Sequence, residues 1–304
     1  MKKINKKTII LITLIAALVV VALLVFFLFL NKGDSYRILK VFEVEGTANV
    51  NRTGKGDITP YTNMVLESGD RISLDTGKMT LQADEDKYIF LEEHTELVLT
   101  ASGDAANSKT TIELVKGGIT NEIQNKLSGD SSYEINTPNS TMSVRGTVYY
   151  VYEYEEDGII YTRVCVFQGA VATWLTYEDG TKAEEQVLVP SGKEVLIYQD
   201  DKTTDYVYEP KDIDYDTLPD SVLEKLQEII ASGEDLSITD EEIVLILEGP
   251  YTVTFKYNGE VFGTQTVEKG KTASKPALQP STSGSWKFDF SKPIERDTII
   301  NWEP

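Results

Sequence analysis

Side chains able to do chemistry are unevenly supplied in this chain of 304 residues: 49 are acidic, one is a histidine (His94) and one a cysteine (Cys165). A single histidine leaves no room for histidine-based acid–base machinery or a multi-histidine metal site. A single cysteine excludes an intrachain disulfide framework. Within Val164-Cys165-Val166-Phe167 it reads as a small buried hydrophobe, with no motif beside it for nucleophilic or metal work. His94 follows Glu92-Glu93 and reads as part of a turn. Asp212-x-Asp214-x-Asp216 mimics the start of a calcium loop, but Thr217 stands where the sharp-turn glycine is needed and Leu223 where the bidentate glutamate would fall. That segment is read as an acidic approach to a helix. Sequence does not fix the distance between any two carboxylates, so a glycosidase-type acid pair stays open as the weakest reading. No G-x-S-x-G, H-E-x-x-H, S-x-x-K triplet, Walker loop or Cys–His pair accompanies them. The expectation is a protein that is not an enzyme and uses no metal or cofactor.

Charge narrows the partners. The net charge is −20 at pH 7, and Lys2, Lys3, Lys6 and Lys7 account for four of the 29 basic residues. The rest of the chain sets 25 basic residues against 49 acidic ones. Such a surface repels nucleic-acid phosphates and anionic lipid headgroups, and it favours solubility. No nucleic-acid partner is expected.

Residues Thr8 to Leu30 carry no charge, Pro, Gly or amide. At helical rise they span about 34 Å, enough for a hydrocarbon core of about 30 Å. Phe26-Phe-Leu-Phe-Leu30 runs into Asn31-Lys32-Gly33-Asp34 without a small-residue cleavage pattern, so the run reads as an uncleaved signal anchor. The lysines before it place the N-terminus in the cytoplasm. The expected organisation is a cytoplasmic tail (1–7), a transmembrane signal anchor (8–30), a juxtamembrane linker (31–40), a β domain (41–200), an acidic linker with two amphipathic helices (201–249) and a small β module (250–304).

From Val41 to about Tyr198, short alternating runs separated by Gly, Asp and Asn turns recur every 8–12 residues. They predict a mainly β domain, as a sandwich, roll or stacked meander. Gly117-Gly118 is read as a break. Within this stretch Thr137-Pro-Asn-Ser-Thr-Met-Ser-Val-Arg-Gly-Thr-Val-Tyr-Tyr-Val151 reads as a turn leading into a strand. Gly146 suits positive φ or close backbone approach, and Arg145 can offer a bidentate fork to a carboxylate, either within the domain or on a ligand. Arg145, Gly146 and Thr147 are the candidate binding residues here.

The order of these small motifs resembles the FecR domain. It runs through Gly46, Gly69-Asp70-Arg71-Ile72, Gly77, Leu91 to Leu97 with Thr95 between them, Leu114 and Gly117. It continues through Thr137-Pro138, Val144-Arg-Gly-Thr147, Val166 before Gly169 and Val171, and Pro190-Ser-Gly192 before Val195. The Thr-Pro…Val-Arg-Gly-Thr cluster is its distinctive part. The resemblance implies a β-rich module of membrane-anchored regulators, displayed outside the cytoplasmic membrane and acting in sensing, signalling or docking. FecR-type regulators of iron uptake carry a cytoplasmic region that holds a sigma factor. This sequence offers seven residues there, so no sigma-factor-binding domain is expected.

After the β domain, Thr217 to Ala231 reads as a helix with Leu218, Val222, Leu226, Ile229 and Ile230 on one face. Thr239-Asp-Glu-Glu242 caps a second helix running to Leu247. Tyr251–Tyr257, Asn258-Gly259 and Glu260–Val267 form a strong hairpin signal. With Gly263-Thr264, Val267-x-x-Gly-Lys271 and the terminal aromatics, this last segment resembles the Listeria–Bacteroides repeat of bacterial surface proteins, a β-grasp-like module. Trp286 is its candidate binding residue, as an exposed aromatic tip for protein or glycan; the competing reading puts Trp286 and Trp302 in a small core. The function expected is a single-pass extracytoplasmic sensor or docking protein at a bacterial surface or periplasm, with a protein partner at or outside the membrane. The alternatives are an adhesin or wall-associated spacer touching wall glycan and, behind it, a wall-glycan hydrolase.

Overall fold

The computed structural model describes residues 37–303, apart from 105, 106, 128, 145, 178 and 200–205. The expected cytoplasmic tail and signal anchor lie outside the described residues. Among the described residues no helix is long and apolar enough to cross a membrane.

The strands are β1 (Leu39–Arg52), β2 (Gly56–Ile58), β3 (Asp70–Ala83), β4 (Lys87–Leu91), β5 (Thr95–Ser102), β6 (Lys109–Ile123), β7 (Ser132–Thr137), β8 (Ser140–Val144), β9 (Val148–Glu156), β10 (Ile159–Gln168), β11 (Ala170–Leu175), β12 (Val187–Pro190), β13 (Lys193–Gln199), β14 (Tyr206–Val207) and β15 (Lys211–Asp212). They hydrogen-bond into one continuous network, yet the registers divide it into two layers. The first half of β3 pairs with β5 and its second half with β4. Likewise β6 pairs first with β5 and then with β4 and β9. One layer therefore runs β12-β11-β8-β7-β6-β5-β3-β1-β2, and the other runs β13-β10-β9-β6-β4-β3-β1, with the three long strands passing through both. Between the layers lies a core that includes Ile72, Leu81, Ile89, Leu97, Ile112, Leu114, Val151, Val164 and Val195, all buried.

The long strands can change layer because they bend at glycine. Gly46 on β1 faces Gly77 on β3 in the register. Both have positive φ, +92° and +96°, which side chains rarely tolerate. A Cβ on Gly46 would sit 2.1 Å from the Thr76 carbonyl oxygen, and one on Gly77 would sit 2.2 Å from that of Glu45. The two backbones thus touch at the fold line with no space for a methyl group. The same line continues at Gly117, where Thr95 Oγ1 donates to the Gly118 carbonyl and accepts from its N–H, at 2.9 and 3.0 Å. The expected break at Gly117-Gly118 is therefore corrected: β6 runs unbroken from Lys109 to Ile123 and bends there. Glycine ends strands when it exposes backbone, but here both flanks remain paired, and a bulge absorbs the change of direction.

Helices α1 (Asp220–Ala231) and α2 (Asp240–Glu248) lie on the outer face of β9 and β10. Alternation explains why that face is apolar. Tyr149, Val151, Val164 and Val166 point into the sandwich, while Val148, Tyr150, Cys165 and Phe167 meet Val222, Leu223, Leu226, Ile229 and Ile243 of the helices. Cys165 is thus buried, as expected, and its Sγ also donates to Glu194 Oε2 at 3.4 Å. The Thr239–Glu242 capping box forms in full. The terminal unit is a four-stranded mixed sheet ordered β17 (Glu260–Val267), β16 (Tyr251–Tyr257), β19 (Thr298–Glu303), β18 (Ser285–Trp286), with β16 and β19 parallel. Arg296 joins it to the helices by donating to Asp220 and to the Ile246 carbonyl, and Tyr251 OH donates to the Leu247 carbonyl at 2.7 Å.

Crowding at the fold line and positive φ at an open turn should be separable. Gly158→Ala, at φ +81° with nothing near its Cβ position, is expected to cost about 1 kcal/mol. Gly77→Ala is expected to cost about 3 kcal/mol or more, because backbone must move as well. Denaturant unfolding of both variants checks this; equal losses would mean that the fold line is not crowded.

Candidate functional site

The Thr-Pro and Val-Arg-Gly-Thr motifs turn out to join strands. Pro138 and Asn139 make the turn between β7 and β8. Asn139 is buried, and its Nδ2 donates to the carbonyls of Ile160 and Ile197 at 3.0 and 3.1 Å. Thr162 Oγ1 lies 2.7 Å from Asn139 Oδ1 and 2.9 Å from Thr137 Oγ1. The turn belongs to one layer and the carbonyls to strands of the other, so this network staples the two layers. Arg145 lies outside the described residues. Gly146 has φ +76°, and a Cβ there would approach Lys126 to 3.2 Å. Thr147 is 1% exposed, and its carbonyl accepts from Ile123 N–H at 3.0 Å. Gly146 and Thr147 therefore sit in the crossing from β8 to β9, against Gly169, where a Cβ would meet Thr147 Cγ2 at 2.7 Å. Asp70 at the start of β3 is likewise structural: it accepts from Arg52 Nη2 at 2.6 Å and from Glu67 N–H at 2.8 Å.

In the terminal module, Trp286 is 8% exposed and meets Trp302 and Phe255 with ring centroids 5.1 Å apart in each pair. The structure thus places Trp286 in the module's core and not at an exposed tip. Phe262, 37% exposed, lies beside it with centroids 5.6 Å apart.

A concave site that the motifs did not point to lies elsewhere, between the outer face of the second layer and α1. It is a cleft of about 850 Å³. Its floor is part of a tyrosine ladder, Tyr150-Tyr152-Tyr154-Tyr161-Tyr198, with successive ring centroids 4.9 to 6.2 Å apart. Alternation on β9 produces it, because residues 150, 152 and 154 share one face. Phe90 lies on the same side, and Lys225 Nζ of α1 sits 4.1 Å from its ring centroid. Six glutamates line the walls: Glu43 and Glu45 from β1, Glu92 and Glu93 after β4, and Glu224 and Glu228 from α1. Burial pushes the Glu92 carboxyl above the usual range, although Ser221 of α1 donates to it. Glu93 accepts from Gly77 N–H at 2.6 Å, Glu224 faces Lys78 at 3.5 Å and Glu228 pairs with Lys225.

Arg163 closes one end of the cleft. Its Nε donates to Glu194 at 2.9 Å and its Nη2 to Thr217 Oγ1 at 2.9 Å and the Asp214 carbonyl at 3.2 Å. It thereby ties the segment before α1 to β10 and β13. Burial alone would raise the Glu194 carboxyl, but the Arg163 guanidinium and the Lys211 ammonium outweigh it and hold it below the usual range. Nothing in the spacing of these residues marks the cleft in the sequence, since they come from β1, β3, β4, β9, β10 and α1. The available signal was the alternation Tyr150-x-Tyr152-x-Tyr154, which leaves an aromatic stripe on one face. One further carboxylate stands out. Glu153 is 5% exposed, opposite Gly117 on β6 and Thr162 on β10. Burial first, and Glu155 second, push it up to about 7.

The model of the FecR protein family matches residues 70–172, about a third of the chain, from the start of β3 into β11. No curated protein matches. Among solved structures, the chain aligns with two crystal structures of a candidate anti-sigma factor from Parabacteroides distasonis ATCC 8503. One is 12% identical, covers 77% of this chain and 99% of that chain, and has a TM-score of 0.38. The other is 13% identical, covers 77% and 98%, and has a TM-score of 0.36.

Two outcomes are expected at these residues. Asn139→Ala removes the donor from two buried carbonyls and should destabilise the β domain by about 2–4 kcal/mol; an unchanged unfolding midpoint would remove the staple assignment. For Glu153, the folded-state value lies above the unfolded one, so the stabilisation by its proton is complete at acid pH and is lost as pH rises through about 7. Glu153→Gln should therefore gain stability over the parent between pH 5 and pH 8. The gain should be on the order of 3 kcal/mol, at about 1.4 kcal/mol per unit of displacement. Parallel pH profiles for parent and variant would refute this.

Proposed function

We propose, from the match of residues 70–172 to the FecR family model, that the chain is a signalling component that docks a protein partner outside the cytoplasmic membrane. The observation that carries this reading is the coincidence of the FecR match with the body of the sandwich, from β3 into β11. In this reading the apolar run from Thr8 to Leu30 anchors the protein with its N-terminus inside, as a single-pass signal anchor. The sandwich, the helices and the terminal module then project from the membrane. In this reading the protein passes its signal to a partner that crosses the membrane. The terminal module extends the docking surface in the manner of a Listeria–Bacteroides repeat. Its mixed sheet, with β16 and β19 parallel, supports that likeness.

In-cell crosslinking of the full-length protein, followed by purification in detergent and mass spectrometry, tests the proposal. The expected outcome is a specific transmembrane partner that disappears when residues 41–200 are exchanged for an unrelated β domain. Recovery of wall or surface components alone, unaffected by that exchange, would refute docking and favour a spacer or adhesin. Recovery of the protein from the soluble fraction would refute the anchor.

A further inference from the structure

We infer that the cleft between the tyrosine ladder and α1 is the docking site for an extended basic segment of a partner protein, a segment in which lysine or arginine alternates with apolar residues. The inference rests on the docking reading above and assigns that reading a place and a chemistry.

The cleft's volume of about 850 Å³ lies within the range of ligand sites, roughly 300–1,000 Å³. Six glutamates line it against Lys78, Lys225 and Arg163. Arg163 is already committed to Glu194, which is 3% exposed. Lys78 and Lys225 are matched by Glu224 and Glu228. What remains is Glu92 and Glu93 near the floor, and Glu43 and Glu45 on β1, for which the described residues supply no ion pair. The unbalanced charge of the walls is therefore negative, and the complementary occupant is cationic. The site already accommodates one such group: the Lys225 ammonium rests on the Phe90 ring.

The floor decides how that occupant is held. β9 is paired on both sides, with β6 and β10, and the second half of β3 is paired with β1 and β4. The strands of the floor offer no free backbone edge, so an occupant lying on the tyrosines is held through its side chains. Tyr152 is 38% exposed between Tyr150 and Tyr154, with ring planes 10° and 23° from theirs. Because the tyrosines stack face to face, the ladder offers ring edges and leaves no open face for a sugar ring. That geometry favours a peptide with apolar side chains between its charges over a glycan.

The test uses full-length protein in detergent micelles and three probes: a fluorescent octapeptide alternating lysine and valine, its glutamate–valine counterpart, and a chitin pentasaccharide. Fluorescence anisotropy is expected to detect binding of the basic peptide only. Glu43→Lys with Glu45→Lys is expected to weaken it at least tenfold. Glu260→Lys with Glu268→Lys changes the net charge equally on the terminal module and is expected to alter binding less than twofold. Both pairs are exposed, so folding is preserved. Equal weakening by both variants would mean generic charge attraction and would overturn the assignment. So would no weakening by the cleft variant, no binding of the basic peptide, or displacement of the peptide by the pentasaccharide. The two readings fail separately. A transmembrane partner still crosslinked by the cleft variant leaves docking in place and removes the cleft from it. Peptide binding without any crosslinked partner in cells leaves the cleft assignment and removes docking.

Discussion

The contact on which this architecture depends is that of two backbones, Gly46 against Gly77. Each lies where the other's neighbour leaves no space for a Cβ. Because the two strands meet there without side chains, β1 and β3 can fold over together and remain paired on both sides of the bend. Thr95 repeats the device one step along by holding β6 at Gly118. Three strands can then contribute to both layers, and the core between the layers is enclosed by continuous chain along one side. The opposite side is closed by connections: Gly146 and Thr147 between β8 and β9, Gly169 between β10 and β11, and Ser191 and Gly192 between β12 and β13. Asn139 reaches across from its own turn to bond both neighbouring strands. Removing any one of these would reopen the same core, so the sandwich is expected to unfold as one unit.

Two-sided burial of the second layer follows from this enclosure. With one face sealed against the core, the aromatic residues on the other face of β9 and β10 need a cover, and α1 and α2 supply part of it. The cover stops short of Tyr152 and Tyr154, and the step between helix and ladder is the cleft. Arg163 fixes that step in place. It reaches from β10 to Thr217 and Asp214 just before α1 and is balanced by Glu194, so the helix entry is held to the sheet by a half-buried, charge-assisted network as well as by apolar contact. Arg296 extends the chain of contacts by holding the terminal module to both helices.

Much of the fold was legible in the sequence because its signals are local. The Asn258-Gly259 hairpin and the Thr239 capping box each depend on residues a few positions apart, and each appears as expected; the apolar face of α1 also forms, but the helix begins at Asp220 and leaves Leu218 before it. What sequence reasoning missed depends on residues distant in the chain. β7 and β8 were not separated from the turn after them, and β7 pairs in parallel with β6, an arrangement no local pattern announces. Gly117-Gly118 read as a break because the pairing that carries β6 through it comes from β4, β5 and β9. At the candidate residues Gly146, Thr147 and Trp286 the structure shows demands of packing: close backbone approach, burial beside Gly169, and an aromatic core.

The family match and the cleft therefore describe different layers of the protein's design. Residues 70–172 hold the fold line from Gly77 to Gly117, the Asn139 staple and the β8–β9 crossing, all of which keep a sandwich closed. The cleft takes its floor from inside that range but much of its charge from outside it. Glu43 and Glu45 precede the matched segment, and Ser221, Glu224, Lys225 and Glu228 follow it. A scaffold specified by its corners can keep its shape while the flanking strand and helix change their side chains, since exposed substitutions far from the fold line cost little. Here the matched segment gives the aromatic floor with Glu92 and Glu93, and β1 and α1 on either side of it in sequence give the other four glutamates.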